Sequence, residues 1–108
     1  MEKILKDYTE FLMEIYGDHL KKVILYGSYA RGDFHEGSDI DVMILVDLDD
    51  SGIKQFSGRL SDETYDINYD RDVMIMPIVQ NIDFFNKWVR AYPFFNNVNN
   101  EGVELYAA

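Results

Sequence analysis

The sequence has no cysteine, only two prolines and no long apolar run. Without cysteine, the chain can form no disulfide, thiol nucleophile or cysteine-ligated metal site. Its apolar runs fall far short of the roughly 20 residues that a membrane-spanning helix needs. Residues 1–7 also lack the apolar stretch of a signal peptide. We therefore expect a cytoplasmic protein with no membrane partner.

Basic residues are also scarce: ten Lys and Arg stand against 20 Asp and Glu, which gives a net charge of -10. Nucleic-acid binding relies on Lys and Arg contacts to phosphates, so DNA and RNA are not expected partners. The excess of acidic residues either keeps the protein soluble or places carboxylates together to bind cations, and composition alone leaves both interpretations open. The length of 108 residues fits a single domain over 1–108 and leaves self-association open.

Apolar periodicity predicts most of the helices. Residues at helical spacing, with glycine or proline near the ends, predict helices over 2–16, 50–69 and 81–91. A shorter helix is expected after Pro93, because proline suits a first helical position, and Gly102 should end it. Residues 28–31 are expected to form one helical turn, followed by a loop over 32–38.

Short apolar runs predict three strands, over 22–26, 39–46 and 72–80. Pro77 lies in the third run, and it indicates a strand that lies at the edge of the sheet or breaks near its end, because proline donates no backbone hydrogen bond. Strands alternating with helices predict an α/β fold, in which helices flank a small mixed sheet.

Two short motifs carry the chemistry. Gly27-Ser28 follows the first strand and opens a helical turn, where backbone N–H groups could bind phosphate oxygens. Asp39 and Asp41 are two apart in a strand, so their side chains point the same way. Two adjacent carboxylates repel each other, and a hard cation such as Mg²⁺ relieves that repulsion. Together the motifs predict a site for a metal-bound triphosphate.

This segment resembles the minimal nucleotidyltransferases of the DNA polymerase β superfamily. Their motif is matched by Gly27-Ser28-Tyr29-Ala30-Arg31-Gly32 and Ser38-Asp39-Ile40-Asp41. The resemblance implies that Gly27, Ser28, Arg31 and Ser38 bind ATP. It also implies that Asp39 and Asp41 are catalytic ligands of Mg²⁺, with two ions bound as in the family's pattern. It also implies the polymerase β-like palm fold.

The family uses a third carboxylate on a later strand. Asp72 is our first choice as a third catalytic and metal-binding residue, and Asp70 is the alternative. Two further residues stay open: Arg31 could face the phosphates or pair with Asp33, and His35 could be a plain loop residue or touch a phosphate.

The acceptor is not evident from the residues. A chain of this length leaves little room for a separate acceptor-binding domain, so the acceptor could be another protein. The resemblance implies a small all-helical partner of the HEPN toxin type, which such enzymes adenylylate on tyrosine, with this chain as its antitoxin. The alternative is a non-catalytic module that keeps the fold and binds a nucleotide or partner without turnover.

Overall fold

The computed structural model describes residues 1–108 and contains five helices and four strands. In chain order these are α1 (Glu2–Tyr16), β1 (Leu20–Tyr26), α2 (Ser28–Arg31), β2 (Ile40–Val46), α3 (Asp50–Arg71), β3 (Ile75–Asn81), α4 (Ile82–Trp88), α5 (Pro93–Glu101) and β4 (Val103–Ala107). The expected α/β fold is confirmed. None of the five helices combines the length and the apolar character needed to cross a bilayer.

The four strands form one mixed sheet in the order β3-β2-β1-β4. β1 runs antiparallel to both β2 and β4, whereas β2 and β3 are parallel. A parallel pair needs a long crossover connection, and α3 supplies it between β2 and β3. This register sets Asp41 between Tyr26 of β1 and Met76 of β3.

Two apolar clusters cover the two faces of the sheet. Successive side chains of β2 point to opposite faces, and both sets are buried. On one face, α1 and α3 pack over a cluster that includes Tyr8, Leu12, Val23, Val42 and Ile44. On the other, α4 and α5 pack over Ile24, Met43, Leu45, Phe85, Phe95 and Val98. The central strand β2 is therefore held rigidly from both sides.

The outer edge of β3 is protected. The side-chain amide of Asn68 accepts a hydrogen bond from Ile75 N–H at 2.8 Å and donates one to Ile75 C=O at 3.1 Å. Pro77, two residues further, has no N–H to offer a neighbouring strand. The edge position predicted from Pro77 is confirmed.

The sequence prediction was wrong at two places after residue 70. The third strand was expected to open at Asp72, but α3 continues to Arg71 and β3 begins at Ile75. Asp72 instead ends α3 in a left-handed conformation with φ of 53°, and its N–H donates to Asn68 C=O. The strand β4 was not predicted, because its pairing with β1 is a long-range contact that local pattern does not reveal.

The predicted bounds of other elements differ less. β1 starts at Leu20 rather than residue 22, and β2 starts at Ile40, so that Asp39 lies immediately before it. The helix expected over 81–91 ends at Trp88. The helical turn at 28–31 and the helix over 2–16 are confirmed.

A buried hydrogen bond between α1 and α3 offers a test of this packing. The Tyr8 and Thr64 hydroxyls lie 2.8 Å apart. Tyr8→Phe should lower the free energy of unfolding by about 1 kcal/mol, because it leaves the buried Thr64 hydroxyl unpaired. Adding Thr64→Val should recover part of the loss. Urea denaturation measures both effects.

Tyr16→Phe is the matched control for this prediction. Tyr16 is also buried in α1, but its hydroxyl has no hydrogen-bond partner within the chain. Its removal should therefore cost clearly less than that of the Tyr8 hydroxyl. Equal losses in the two single variants would contradict the role given to the Tyr8–Thr64 bond.

Candidate functional site

Gly27 lies where β1 turns into α2, and it brings the backbone close to Asp41. Its φ of 75° falls in the region that favours glycine. A Cβ at this position would overlap the Asp41 carboxylate. The Gly27 C=O accepts hydrogen bonds from the N–H groups of Ala30 and Arg31, each at 3.1 Å, which forms the short α2 turn. No other residue type fits this position without moving Asp41.

Asp39 lies immediately before β2, and Asp41 is the second residue of that strand. Burial raises the pKa of Asp41 above its ordinary value, the negative charge of Asp39 raises it further, and Arg31 opposes both. Burial also raises the pKa of the neighbouring Tyr26 to about 12, with a further contribution from the Asp41 charge. Both pKa shifts come mainly from burial, and the negative charge at this end of the sheet is their second cause.

The loop between the two motifs is closed by Ser38. The Ser38 hydroxyl accepts a hydrogen bond from His35 N–H at 3.0 Å, and Ser38 N–H donates to His35 C=O at 3.0 Å. The His35 ring is fixed as well, because its Nδ1 donates to Glu36 C=O at 2.9 Å. In neutral His35 this leaves Nε2 without a proton. The loop is therefore an ordered wall of the site.

Arg31 pairs with two carboxylates. Its Nε lies 3.2 Å from Asp33 Oδ2 and its Nη1 lies 3.3 Å from Glu101 Oε2. The pairing with Asp33 was one of the two alternatives that the sequence left open. Because all three side chains are exposed, these contacts are weak and exchangeable. The guanidinium can therefore also turn to a phosphate.

These residues line one open cleft of about 570 Å³. It brings together the sequence-predicted residues Gly27, Ser28, Arg31, Ser38, Asp39 and Asp41. It also includes Gly37 and two residues to which the sequence gave no settled role, Asp33 and His35. None of the nine lining residues is hydrophobic, so the cleft suits a polar, charged ligand. A larger groove of about 820 Å³ between α1 and β4 is mainly apolar and contains none of these residues.

Asp72 and Asp70 do not lie in this cleft. Asp70 is an exposed residue of α3. Asp72 lines an adjoining cavity of about 260 Å³ that shares Gly37 and Ser38 with the cleft. No group of three or more His, Asp or Glu side chains in the chain is close enough to hold one metal ion. The residue of β3 in register with Asp41 is Met76.

The donor atoms of the cleft fit a hard divalent cation. Asp39 and Asp41 offer carboxylate oxygens, which Mg²⁺ prefers. Among the charged residues that line the cleft, three Asp stand against one Arg. A triphosphate would add further negative charge, so its binding here requires cations to offset the repulsion.

Comparison with known proteins gives a consistent family. A family model described as nucleotidyltransferase domain matches residues 5–90. The Methanocaldococcus jannaschii protein named "Putative protein adenylyltransferase MJ0604" is 38% identical over 105 residues, which covers 97% of each chain. A second protein of that organism, "Putative protein adenylyltransferase MJ0141", is 36% identical over 104 residues, covering 95% of this chain and 96% of the relative.

Two solved structures share the fold at low identity. One is a crystal structure of a toxin–antitoxin with AMP-PNP, with a TM-score of 0.57 and 19% identity, covering 95% of this chain and 73% of that chain. The other is a tri-AMPylated Shewanella oneidensis HEPN toxin in complex with an MNT antitoxin, with a TM-score of 0.52 and 16% identity, covering 100% of this chain and 74% of that chain. These likenesses show the fold alone.

The coupling of the two aspartates gives a pH prediction. Asp39→Asn should lower the pKa of Asp41, but only in part, because burial is the larger cause of the shift. A carboxyl with a raised pKa in the folded chain stabilises that chain at low pH, and this contribution is lost as pH rises through the raised value. As the pH rises through this range, the Asp39→Asn variant should therefore lose less folding stability than the native chain.

Carbon-detected NMR titration of the Asp41 carboxyl, without divalent metal, measures its pKa directly. Urea unfolding at several pH values measures the linked change in stability. Asp62→Asn removes the same charge from an exposed position of α3 and serves as the control. An Asp41 pKa that is the same with and without the Asp39 carboxylate would contradict the coupling.

Proposed function

This chain belongs to the nucleotidyltransferase domain family, and we propose that it moves AMP from ATP onto a tyrosine hydroxyl of a partner protein. The observation that carries the proposal is the single cleft in which Gly27 and Ser28 meet Asp39 and Asp41. Nucleotidyl transfer demands little covalent chemistry from the protein, because positioning and charge neutralisation supply most of the catalysis. The cleft offers both.

The proposed reaction is a displacement at the α-phosphorus of ATP. The acceptor hydroxyl oxygen forms a bond to that phosphorus, and the bond from phosphorus to the oxygen bridging to the β-phosphate breaks. Pyrophosphate leaves with the electron pair, and the hydroxyl proton passes to water in the open cleft. The acceptor keeps AMP as a phosphodiester.

The residues of the cleft take separate roles in this proposal. Gly27 lets the triphosphate approach the backbone, and Ser28 adds its hydroxyl and the free N–H groups that begin α2. Arg31 leaves its ion pairs with Asp33 and Glu101 and binds a phosphate of ATP instead. Ser38 can still donate its hydroxyl proton while it accepts from His35.

Asp39 and Asp41 would hold the divalent metal, for which we propose Mg²⁺. When bound, two such ions neutralise the triphosphate and polarise the reacting phosphate. Asp72 stays a prediction as third carboxylate: from the end of α3 it would act through the adjoining cavity. We place the reaction in the cytoplasm, where ATP and Mg²⁺ are both available.

The relatives suggest the acceptor. Two similar chains are named for protein adenylyl transfer, and one solved structure of the same fold is a complex with a tri-AMPylated HEPN toxin. We propose by analogy that this chain modifies a small helical HEPN-type partner, as an antitoxin.

A second function, binding without transfer, is favoured by one observation. The position of β3 beside Asp41 carries Met76 and no carboxylate. A chain with only two carboxylates at its metal site could bind nucleotide and cover a partner, yet turn over poorly. The two functions differ in whether the partner becomes modified.

ATP binding tests the site itself. Calorimetry with ATP and Mg²⁺ should show metal-dependent binding, which the Asp39→Asn/Asp41→Asn variant loses by at least about tenfold in affinity, since two charged ligands are gone. Asp62→Asn should bind like the native chain. Asp72→Asn tests the third carboxylate: a similar loss of ATP affinity in this variant would support Asp72 as a metal ligand. Unchanged binding in the double variant would refute this site.

Transfer is tested on a co-expressed partner. Mass spectrometry of a HEPN-type protein produced with the native chain should show the mass increase of one or more AMP groups on tyrosine. The Asp39→Asn variant should give a large loss of this product, at least about a hundredfold, because the metal ligand acts on the reacting phosphate. If the partner stays unmodified but is still neutralised, the binding-module function replaces the transferase.

A further inference from the structure

Three exposed apolar side chains form a strip along β3. Met74, Met76 and Ile78 expose 51%, 46% and 42% of their surface. They are two residues apart, so they share one face of the sheet. Met74, just before the strand, is already paired to β2, because its C=O accepts a hydrogen bond from Ile40 N–H at 2.8 Å. We call these residues the β3 strip.

The β3 strip lies beside the proposed metal ligands. Met76 is in register with Asp41, and residues in register on neighbouring strands have side chains on the same face. On the other side of Asp41 stands Tyr26, with the Phe94 ring packed edge-on at 5.6 Å. The Asp41 carboxylate is therefore flanked by a thioether on one side and by aromatic rings on the other.

A partner reaches this strip through side chains rather than through a new strand. The backbone edge of β3 is blocked by the Asn68 amide and by Pro77. The face of β3 remains accessible, and there the thioether groups of Met74 and Met76 lie next to the cleft. A single aromatic ring fits such a surface, because sulfur–aromatic contacts are favourable at the ring edge.

We propose that the β3 strip binds the ring of the acceptor tyrosine and directs its hydroxyl toward Asp41. The inference rests on the proposed function and adds the residues that select the acceptor. Other exposed apolar residues, such as Met13 on α1 and Tyr69 on α3, are not in register with either aspartate. The excess of negative charge in the chain and at the cleft favours an acceptor segment with Lys or Arg beside the tyrosine.

Methionine NMR tests binding without depending on turnover. The chain has five Met residues, so methyl labelling gives five signals. A synthetic peptide with one tyrosine between lysines should shift the signals of Met74 and Met76 by its ring current. Met13, which is equally exposed on α1, and Met43, which is buried in the core, should not respond. The same peptide with serine in place of tyrosine is the matched probe.

Substitution of the strip tests its effect on transfer. Met76→Gln should reduce transfer to the tyrosine peptide about tenfold, the loss expected for about 50 Å² of apolar contact, through a higher KM for the peptide. Met76→Leu, which stays apolar, should stay within about twofold. ATP affinity should be unchanged in both, because neither substitution changes the charge beside Asp41, and Met13→Gln should leave transfer at the native level.

The outcomes separate this inference from the proposed function. Transfer to tyrosine that is insensitive to Met76→Gln, or tyrosine-peptide titration to millimolar concentration without a Met74 or Met76 shift, contradicts binding by the β3 strip and leaves the proposed transferase function intact. Equal shifts with the serine peptide also contradict binding by the β3 strip. Tyrosine-specific shifts without transfer support the strip while refuting catalysis.

Discussion

The close approach of the Asp41 carboxylate to the backbone of Gly27 is the contact on which the site depends. It joins the end of β1 to the start of β2, and a side chain at Gly27 would push the carboxylate away. The neighbours of Asp41 in β2 are buried on both faces, so the backbone of the strand cannot shift to make room. The rigid core thus fixes a carboxylate beside the turn that begins at Gly27.

This placement has an electrostatic cost that ligand binding relieves. Asp41 is held near Asp39 and partly out of water, and both effects raise its pKa. Metal binding relieves that repulsion, so the same geometry that destabilises the charged aspartates favours divalent cations. Arg31 pairs with Asp33 and Glu101 at the exposed surface, where such ion pairs are weak, so little free energy opposes a change of partner.

Much of the fold and of the cleft could be predicted from the sequence, because local signals encode them. Gly27-Ser28 and Asp39-x-Asp41 are contiguous motifs, and Pro77 alone indicated the edge strand. The misses depend on distant contacts. Asp72 opens an apolar run that predicts a strand, yet it forms the left-handed cap of α3. β4 exists only through pairing with β1, and the position of Met76 beside Asp41 emerges only from the parallel register.

The two edges of the sheet, β3 and β4, differ in whether a further strand can pair with them. Asn68 and Pro77 close the β3 margin to hydrogen-bonded growth, whereas the outer side of β4 has no strand beside it. Two further strands, β2 and β1, separate these margins. Any lateral extension of the sheet, by a fused segment or by another chain, is therefore favoured at β4. Such an assembly would leave the β3 edge accessible, so lateral assembly and the proposed acceptor contact need not compete for the same surface.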